Sequence, residues 1–497
     1  MLSIIASPIG FATVILLFGI GALGSLFAGK RDKMANGWNG LFAILGSLGG
    51  ILFSGSLLLS GQVVVFGAAW SSFPLISLAF NIDQLAAFFL FTISLISLFC
   101  SIYGVGYLKH FYGKYSIGAF GFFYQIFILG MLLVVTASNA LFFLFVWEIM
   151  SIASYLLVVY DRRDANNIRA GFLYLVMTHF GTAFIVAAFL LLYRFTGSFD
   201  FAAIQSAAGA IPLSVKNAVF VLSMIGFGTK AGIIPFHIWL PSAHPAAPSH
   251  VSGLMSGVMI KTGIFMMIRL FLDLLQPVPE WWGLVVIVIG SVSALLGVLY
   301  ALTEHDLKRL LAYHSIENIG IILLGVGSAL TFSSLGMMSL AILGLVGALF
   351  HTLNHATFKS LLFLSAGSVI AETHTRNMEE YGGLAKRMPQ TAGFFLIGSM
   401  AIVALPPFNG FMSEWVTLQS LFQGMIHLSA TGRSIFIVAA GALALTGGLA
   451  LACFVKAFAS TFLARPRSDE ASHAKESASS LRIGMGGLGA LCLLFGL

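Results

Sequence analysis

The sequence has few charged residues and few cysteines for its length. Asp, Glu, Lys and Arg make up only 9% of the 497 residues, whereas 59% are hydrophobic and the mean hydropathy is +0.98. A soluble fold of this size needs a far more charged surface, so the composition excludes a soluble globular protein. The chain is instead predicted to be an all-α polytopic membrane protein.

The three cysteines, Cys100, Cys453 and Cys492, lie far apart, each within an apolar stretch. Such isolated cysteines are typical of small core side chains and do not indicate a disulfide or a metal site. The sequence also has no CxxC pair, no phosphate-binding glycine loop and no dinucleotide-binding fingerprint. We therefore expect no cofactor, no metal and no catalytic centre in this chain.

Apolar stretches of about 20 residues, the length that crosses roughly 30 Å of hydrocarbon, recur along the whole sequence. About fourteen spans are predicted, and the first is expected to be a retained helix because it lacks the basic region and cleavage site of a secretory signal. The predicted spans are 3–28, 38–60, 83–108, 117–136, 139–160, 168–193, 215–240, 251–275, 281–302, 307–330, 335–370, 391–424, 434–463 and 482–497.

The formal net charge of +7 does not indicate nucleic-acid binding, because the basic residues are scattered singly over alternate loops. Most of them, including Lys30, follow odd-numbered spans. By the positive-inside rule the odd loops are cytoplasmic and the N-terminus is outside. Residues 161–167 and 372–390 are therefore predicted on one side of the membrane and residues 61–80 on the other. The remaining loops hold only Arg194, Lys216, Arg269 and Arg433.

Two predicted spans contain helix breakers at corresponding places. Gly232 and Pro235 interrupt the seventh, and Pro406 and Pro407 interrupt the twelfth. Proline removes an intrahelical hydrogen bond, and the backbone groups it frees at membrane depth are tolerated only where protein or water satisfies them. Paired broken helices in the two halves of a transporter indicate the ion site.

The breaks also suggest an internal repeat. Nearly the same number of residues separates Pro235 from Pro406 as separates Glu148 from Glu317. Spans four to eight would then be repeated by spans nine to thirteen, inverted because each unit has five spans; coincidence is the alternative. The predicted organisation is residues 1–116 with spans 1–3, 117–275 with the first repeat, 276–465 with the second repeat, and 466–497 with a polar loop and the start of a further helix.

Lys230 is the most informative single residue. It lies in an apolar run shortly before Pro235, and an ammonium near the bilayer centre costs about 2.5–3.5 kcal/mol, so a partner or water is expected beside it. Glu148, also flanked by apolar residues, is the predicted partner, and such a carboxylate can change its protonation when a neighbour moves. The alternatives are a structural glutamate bonded to a neighbouring helix and a lysine that snorkels to the interface.

A second group of polar residues follows one helix face. His351, His355 and Lys359 come at i, i+4 and i+8, which stacks them over about 12 Å of rise, and histidine titrates near neutral pH. This stripe is predicted to pass protons. The alternatives are a polar seam, in which Asn354 and Thr352 form interhelical bonds, and a metal site with HxxxH spacing but no evident third ligand.

Six more ionisable side chains fall within or at the edge of apolar spans. Lys261 is a second buried lysine, for which snorkelling is the alternative. His314 and Glu317 form either part of a relay or an interfacial network that orients the helix end. His237 is predicted to continue the relay after Pro235, whereas the role of His179 stays open between relay and carbonyl cap. The six are Lys261, His179, His237, His314, Glu317 and Glu414.

Three motifs carry a family resemblance: KAGIIPFHIWLPSAH at 230–244, KRLLAY at 308–313 and FKSLLFLSAG at 358–367. Together they resemble the antiporter-like proton-pumping subunits of respiratory complex I, multisubunit cation/proton antiporters and group 4 hydrogenases, over roughly residues 80–465. The segment YHSIENIGIILLG at 313–325 looks most like the branch with hydrogenase-4 component B and formate hydrogenlyase subunit 3.

The resemblance implies roles for individual residues. Glu148 would match the family's fifth-helix glutamate, Lys230 the lysine of the broken helix, Lys261 the connecting lysine, His355 a central histidine and Glu414 the terminal titratable group. Complex I relatives commonly carry a histidine at the position of Asn318. The central relay must therefore run through His314, Glu317 or water, and the pumping stoichiometry is not inherited.

The resemblance further implies a subunit of a larger redox complex in a bacterial or archaeal cytoplasmic (inner) membrane. Its partners would be other antiporter-like or anchor subunits and peripheral subunits carrying a nickel–iron centre and iron–sulfur clusters. Electron transfer there would change the charge at Glu148 and Lys230, and the proton would pass through Lys261 and the stripe to Glu414 and outside. The alternatives are a complex I or sodium/proton antiporter subunit and a membrane anchor that transports nothing. The coupling ion, the direction and any continuation beyond residue 497 stay open.

Overall fold

The computed structural model describes residues 5–29, 31–69 and 77–497. Residues 1–4, Lys30 and residues 70–76 lie outside the described residues. They belong to the predicted first span, the cytoplasmic basic residues and the predicted external loop, respectively.

The described chain is mostly helical. Short 3₁₀ turns follow α3 and α7 and precede α14. In chain order the helices are α1 Pro8–Phe27, α2 Asp32–Ser60, α3 Gln84–Tyr107, α4 Ile117–Thr136, α5 Ala140–Val158, α6 Ala165–Thr196, α7 Phe201–Ala207, α8 Leu213–Ala231, α9 Leu240–Ala246, α10 Ser249–Leu274, α11 Glu280–Thr303, α12 Leu307–Ser334, α13 Met338–Thr373, α14 Leu384–Arg387, α15 Pro389–Ile402, α16 Asn409–His427, α17 Ala430–Phe462, α18 Asp469–His473 and α19 Ser479–Leu494.

Among the described residues, 11 helices are long and apolar enough to cross a membrane: α1–α6, α10–α13 and α17. The predicted all-α polytopic fold is therefore confirmed, but the count of fourteen is not. In the predicted span 215–240 the helix α8 ends at Ala231, ahead of Gly232 and Pro235, and α9 begins only at the last residue of the span. The predicted span 391–424 is divided into α15 and α16 around Pro406 and Pro407. The last predicted span forms only the 16-residue helix α19.

A β-hairpin follows α2, in the loop predicted to be external. Strands β1 Val64–Ala69 and β2 Ser77–Ile82 pair antiparallel, with Val64 opposite Ile82. Inside the hairpin the rings of Phe66 and Phe80 stack at 4.8 Å between centroids. The short segments carry too weak an alternation to be distinguished from a loop by sequence, and the hairpin was not predicted.

The chain forms two compact units. The first unit contains residues 1–230, 246–254 and 262–276, and the second contains residues 231–245, 255–261 and 277–497. The division near residue 276 falls beside the predicted boundary between the repeats. The inversion of one repeat relative to the other stays a prediction.

Arg269, in the last turns of α10, ties separate parts of the first unit together. Its guanidinium donates to both carboxylate oxygens of Asp83, at 2.6 and 2.7 Å, and to Asp273 at 2.7 Å. Burial by itself raises the pKa of Asp83, which caps α3, but the hydrogen bonds and charge of Arg269 outweigh burial and hold that pKa below its ordinary value. Sequence counting assigned Arg269 to a loop, whereas it is a buried helical residue.

Glycines allow α11 and α12 to approach closely in the second unit. A Cβ added at Gly297 would lie 2.6 Å from the backbone nitrogen of Glu317 and 3.1 Å from its Cβ. A Cβ at Gly290 would lie 2.8 Å from the carbonyl oxygen of Gly320. Small residues at such crossings let membrane helices pack by van der Waals contact. Gly297 therefore sets the position of Glu317.

We expect Gly297→Ala to lower the thermal stability of the detergent-solubilised protein, because the added methyl group must push α12 away from α11. Melting followed by intrinsic tryptophan fluorescence measures the effect. Gly441→Ala is the matched control, since nothing lies within 4 Å of a Cβ at that helical position. Equal melting temperatures for the two variants would contradict this close packing.

Candidate functional site

Lys230, at the end of α8, is buried and held by hydroxyl groups of the first unit. Its Nζ donates to Ser151 Oγ on α5 at 2.8 Å and to Tyr174 OH on α6 at 3.1 Å. The ammonium also lies 5.5 Å from the centre of the Trp147 ring, a distance at which a cation is attracted to the ring face. Ser151 in turn donates to the Trp147 carbonyl at 2.8 Å. A charge placed at Lys230 is therefore stabilised by neutral groups.

Glu148 is held by a different pair of side chains, both on α6. Thr182 Oγ1 donates to Glu148 Oε1 at 2.6 Å, and His179 Nε2 lies 3.3 Å from Glu148 Oε2. The Glu148 and His179 side chains retain 27% and 51% of their exposure. This carboxylate thus lies partly open on a helix face whose other exposed side chains, such as Phe145 and Phe172, are apolar.

The predicted contact between Glu148 and Lys230 is not a direct ion pair. Lys230 donates hydrogen bonds to Ser151 and Tyr174, whereas Glu148 accepts one from Thr182 and contacts His179 at 3.3 Å. Both networks nevertheless use the same two helices: Ser151 lies one turn after Glu148 on α5.

The first helix break, between α8 and α9, is satisfied from within the second unit. The backbone N–H of Ile234 donates to Ser293 Oγ on α11 at 3.1 Å. His237, which follows Pro235, is half-buried with its ring parallel to that of Tyr300, at 6.2 Å between centroids. The break therefore places a histidine beside an aromatic ring at the edge of the unit.

His314, Glu317 and Asn318 begin a hydrogen-bonded line on α12. The His314 Nδ1 and Glu317 Oε2 atoms are in direct contact, and both side chains are buried. Asn318 Nδ2 donates to the carbonyl oxygen of His314 at 2.7 Å, which turns its amide oxygen toward His351. His351 Nε2 then donates to Asn318 Oδ1 at 3.1 Å. The asparagine thus links α12 to the histidine stripe on α13.

His351 continues the line to α16. Because Asn318 Oδ1 only accepts, the Nε2 of His351 carries a proton and its Nδ1 is the atom free to titrate. That Nδ1 lies 3.0 Å from Ser413 Oγ. Glu414, the next residue along α16, is half-buried. His351 therefore contacts a hydroxyl group on the same helix as Glu414, one residue before it.

His355 and Lys359 are also fully buried, on the same face of α13 as His351. Neither ring nitrogen of His355, nor Lys359 Nζ, has a hydrogen-bond partner among the described residues. The His355 ring lies parallel to that of His351 at 6.4 Å, and Lys359 Nζ lies 6.0 Å from the Phe363 ring centre. Buried polar atoms are nearly always hydrogen-bonded in folded proteins. We therefore infer that water supplies the hydrogen bonds of His355 and Lys359 in this segment of α13.

Lys261 lies just after a π-helical turn at Met255–Met259 in α10. Its Nζ donates to the carbonyl oxygen of Ser256 at 2.5 Å, and Ser256 Oγ lies 2.7 Å from Ser315 Oγ on α12. The lysine is buried and does not snorkel. Wide turns of this kind are frequent at functional sites.

The second helix break is tied to α13 by paired amides. Asn409, at the start of α16, donates to Thr357 Oγ1 at 2.8 Å, and Asn354 donates to the carbonyl oxygen of Asn409 at 2.7 Å. The interhelical bond that the polar-seam alternative assigns to Asn354 is present. Thr352 instead donates to the Ala348 carbonyl of its own helix.

Sequence reasoning did not select the hydroxyl residues that hold these groups, namely Ser151, Tyr174, Thr182 and Ser413. Serine and threonine are frequent in membrane helices, and only helix packing shows which of them face a charge. The sequence did draw attention to His179, a histidine midway along a span, but it did not identify the partner of that histidine. Among the described residues no three His, Cys, Asp or Glu side chains group as metal ligands do.

Comparison with known proteins places this architecture in a family. Residues 137–441 match the model of the NADH:quinone oxidoreductase/Mrp antiporter transmembrane family. The chain is 46% identical over 489 residues to hydrogenase-4 component B of Escherichia coli K12, covering 97% of this chain and 71% of that protein.

Two further matches agree with this. Formate hydrogenlyase subunit 3 of Escherichia coli K12 is 37% identical, covering 94% of this chain and 74% of its own length. A chain in the structure of the Mrp complex from Dietzia sp. DQ12-45-1b shares the fold, with a TM-score of 0.81 at 21% identity over 97% of this chain and 93% of that chain. The resemblance expected from the motifs is confirmed. The chain is therefore a membrane-embedded, multi-pass, antiporter-like subunit that belongs to the NADH:quinone oxidoreductase/Mrp antiporter transmembrane family.

Proposed function

We propose that this chain translocates protons as the antiporter-like subunit of a membrane-bound nickel–iron hydrogenase or formate hydrogenlyase complex. Electron transfer in peripheral nickel–iron and iron–sulfur subunits changes the charge balance at Glu148 and Lys230. Lys261, His237, His314, Glu317, His351, His355, Lys359 and Glu414 form the rest of the pathway. The relatives named as hydrogenase-4 component B and formate hydrogenlyase subunit 3 support the choice of complex.

One observation carries the proposal. The buried lysines are held by neutral groups and not by fixed counter-ions: Lys230 by two hydroxyls and Lys261 by a carbonyl. Two such hydrogen bonds can be donated by an ammonium or by a neutral amine, so the network around Lys230 persists when the proton leaves. A purely structural charge would gain more from a counter-ion at this depth.

The line through α12 and α13 supports the second half of the pathway. Asn318 replaces the histidine common in complex I relatives, yet it hydrogen-bonds both His314 and His351. An amide does not itself exchange protons near neutral pH, so it holds His351 in one tautomer. Proton transfer then uses Nδ1 of His351, Ser413 and water beside His355 and Lys359.

The surrounding complex sits in the cytoplasmic (inner) membrane with the N-terminus of this chain outside. The distribution of basic residues over the loops supports this orientation. Neighbouring membrane subunits of the same family and a peripheral hydrogenase module are the proposed partners. Redox energy would reach the chain through these partner subunits.

We expect Lys230→Arg to stop redox-driven proton movement in inverted membrane vesicles while the complex still assembles. A guanidinium keeps hydrogen bonds and charge but does not release its proton at accessible pH. Fluorescent-dye quenching measures proton movement, and native gels measure assembly. The matched control is Lys216→Arg on the same helix, where the ammonium donates to the Leu275 carbonyl at 2.9 Å. Normal proton movement in an assembled Lys230→Arg complex would refute the loading role and favour a non-transporting anchor.

A second substitution tests the exit. Ser413→Ala should lower the proton-translocation rate by about tenfold or more, because it removes the hydroxyl beside His351 Nδ1 and leaves packing almost unchanged. Ser420→Ala is its control, a buried serine two turns along α16 whose hydroxyl has no hydrogen-bond partner among the described residues. If both variants pump at the wild-type rate, the pathway does not pass through Ser413.

A further inference from the structure

His179 is placed to do more than cap a carbonyl. It lies near the middle of the 32-residue helix α6, and Glu148 lies near the middle of the 19-residue helix α5. His179 Nδ1 lies 2.9 Å from the Leu175 carbonyl oxygen, one turn back along its own helix, and Nε2 lies 3.3 Å from Glu148 Oε2. Each ring nitrogen therefore faces one oxygen atom.

These two contacts determine where the protons are. A carbonyl oxygen only accepts, so Nδ1 of His179 must carry a hydrogen. Nε2 faces a carboxylate, which accepts when ionised and donates only when protonated. At this 3.3 Å separation the two atoms attract each other when the pair holds one proton between them. That proton lies either on the ring, giving an imidazolium and a carboxylate, or on the carboxyl group, with both groups neutral.

The other charged side chains of this region lie farther from the contact between His179 and Glu148. Lys230 on α8 reaches α5 and α6 through Ser151 and Tyr174, each about one turn from the pair. Lys216 bonds the end of α10, and Arg169 and Arg194 lie near the two ends of α6. Thr182 donates to the other carboxylate oxygen, Oε1, and leaves Oε2 to the histidine.

We propose that His179 and Glu148 share one exchangeable proton between Nε2 and Oε2, and that His179 is the side chain through which Glu148 gains and loses it. This inference rests on the proposed function and assigns to His179 a part in its first step. Removing the shared proton leaves the pair with a charge of −1, which stabilises the ammonium form of Lys230. Adding a second proton gives +1 and destabilises it.

The shared proton makes a titration prediction that a structural histidine would not. Two coupled groups lose their protons in two macroscopic steps that belong to the pair. The whole complex in lipid nanodiscs should therefore show two steps in the infrared carboxyl and carboxylate bands assigned to Glu148 by their loss in Glu148→Gln. In His179→Gln, whose amide can still contact both oxygens, a single step should remain. Two steps in that variant would overturn the proposal.

Two further variants make the result specific. His305→Gln removes another histidine–glutamate contact, with Nδ1 3.2 Å from Glu379 Oε1 and both side chains largely exposed, so it should keep both Glu148 steps. Thr182→Val removes the other hydrogen bond to Glu148 but retains His179, so two steps are again expected. A single step in Thr182→Val would mean that the second step does not come from His179, and it would refute the shared proton. This test holds even if His179→Gln fails to assemble.

Transport separates this inference from the function on which it rests. We expect His179→Gln to slow redox-driven proton movement by at least about tenfold, as the loss of a positioned proton-transfer group does. If Lys230→Arg stops transport while His179→Gln keeps its wild-type rate, only the role of His179 is refuted. If Lys230→Arg transports normally while the two-step titration is present, the shared proton of His179 and Glu148 is supported and the proposed function is refuted.

Discussion

The cost of an uncompensated charge within the membrane constrains this structure more than any other interaction. Lys230, Lys261 and Lys359 are all buried, yet none forms an ion pair among the described residues. Hydroxyl and carbonyl groups receive the hydrogen bonds of the first two. Such partners accept from both the charged and the neutral amine, so a proton can leave without breaking the network.

The two compact units stabilise their ionisable groups in different ways. In the first unit, the partly exposed Glu148 contacts His179, and Lys230 donates its hydrogen bonds to hydroxyl groups. In the second, the glutamate is fully buried beside His314, and an asparagine, a histidine and a serine extend the line to α16. The first unit is thus suited to respond to a charge outside the chain. The second is suited to pass a proton along a buried line.

Much of the fold could be predicted from sequence because it follows from hydrophobic length and from proline. Apolar runs predicted the long helices within a few residues, and Pro235 and Pro406 predicted both breaks. The hairpin could not be predicted, since six-residue strands carry little periodic signal. The candidate residues were found because a charge in an apolar run is costly wherever it lies. Their partners were not, because Ser151, Tyr174 and Thr182 become partners only when α5, α6 and α8 pack together.

The central claim is that buried ionisable side chains of this chain carry protons, and Lys359 tests it most directly. Its ammonium makes no hydrogen bond to a described residue, so Lys359→Met removes a titratable group and its contact with the Phe363 ring but breaks no hydrogen bond to a described residue. The decisive quantity is the number of protons moved per electron transferred by the purified complex in proteoliposomes. The account predicts that electron transfer continues while this ratio falls sharply in Lys359→Met. An unchanged ratio in the assembled variant would contradict it.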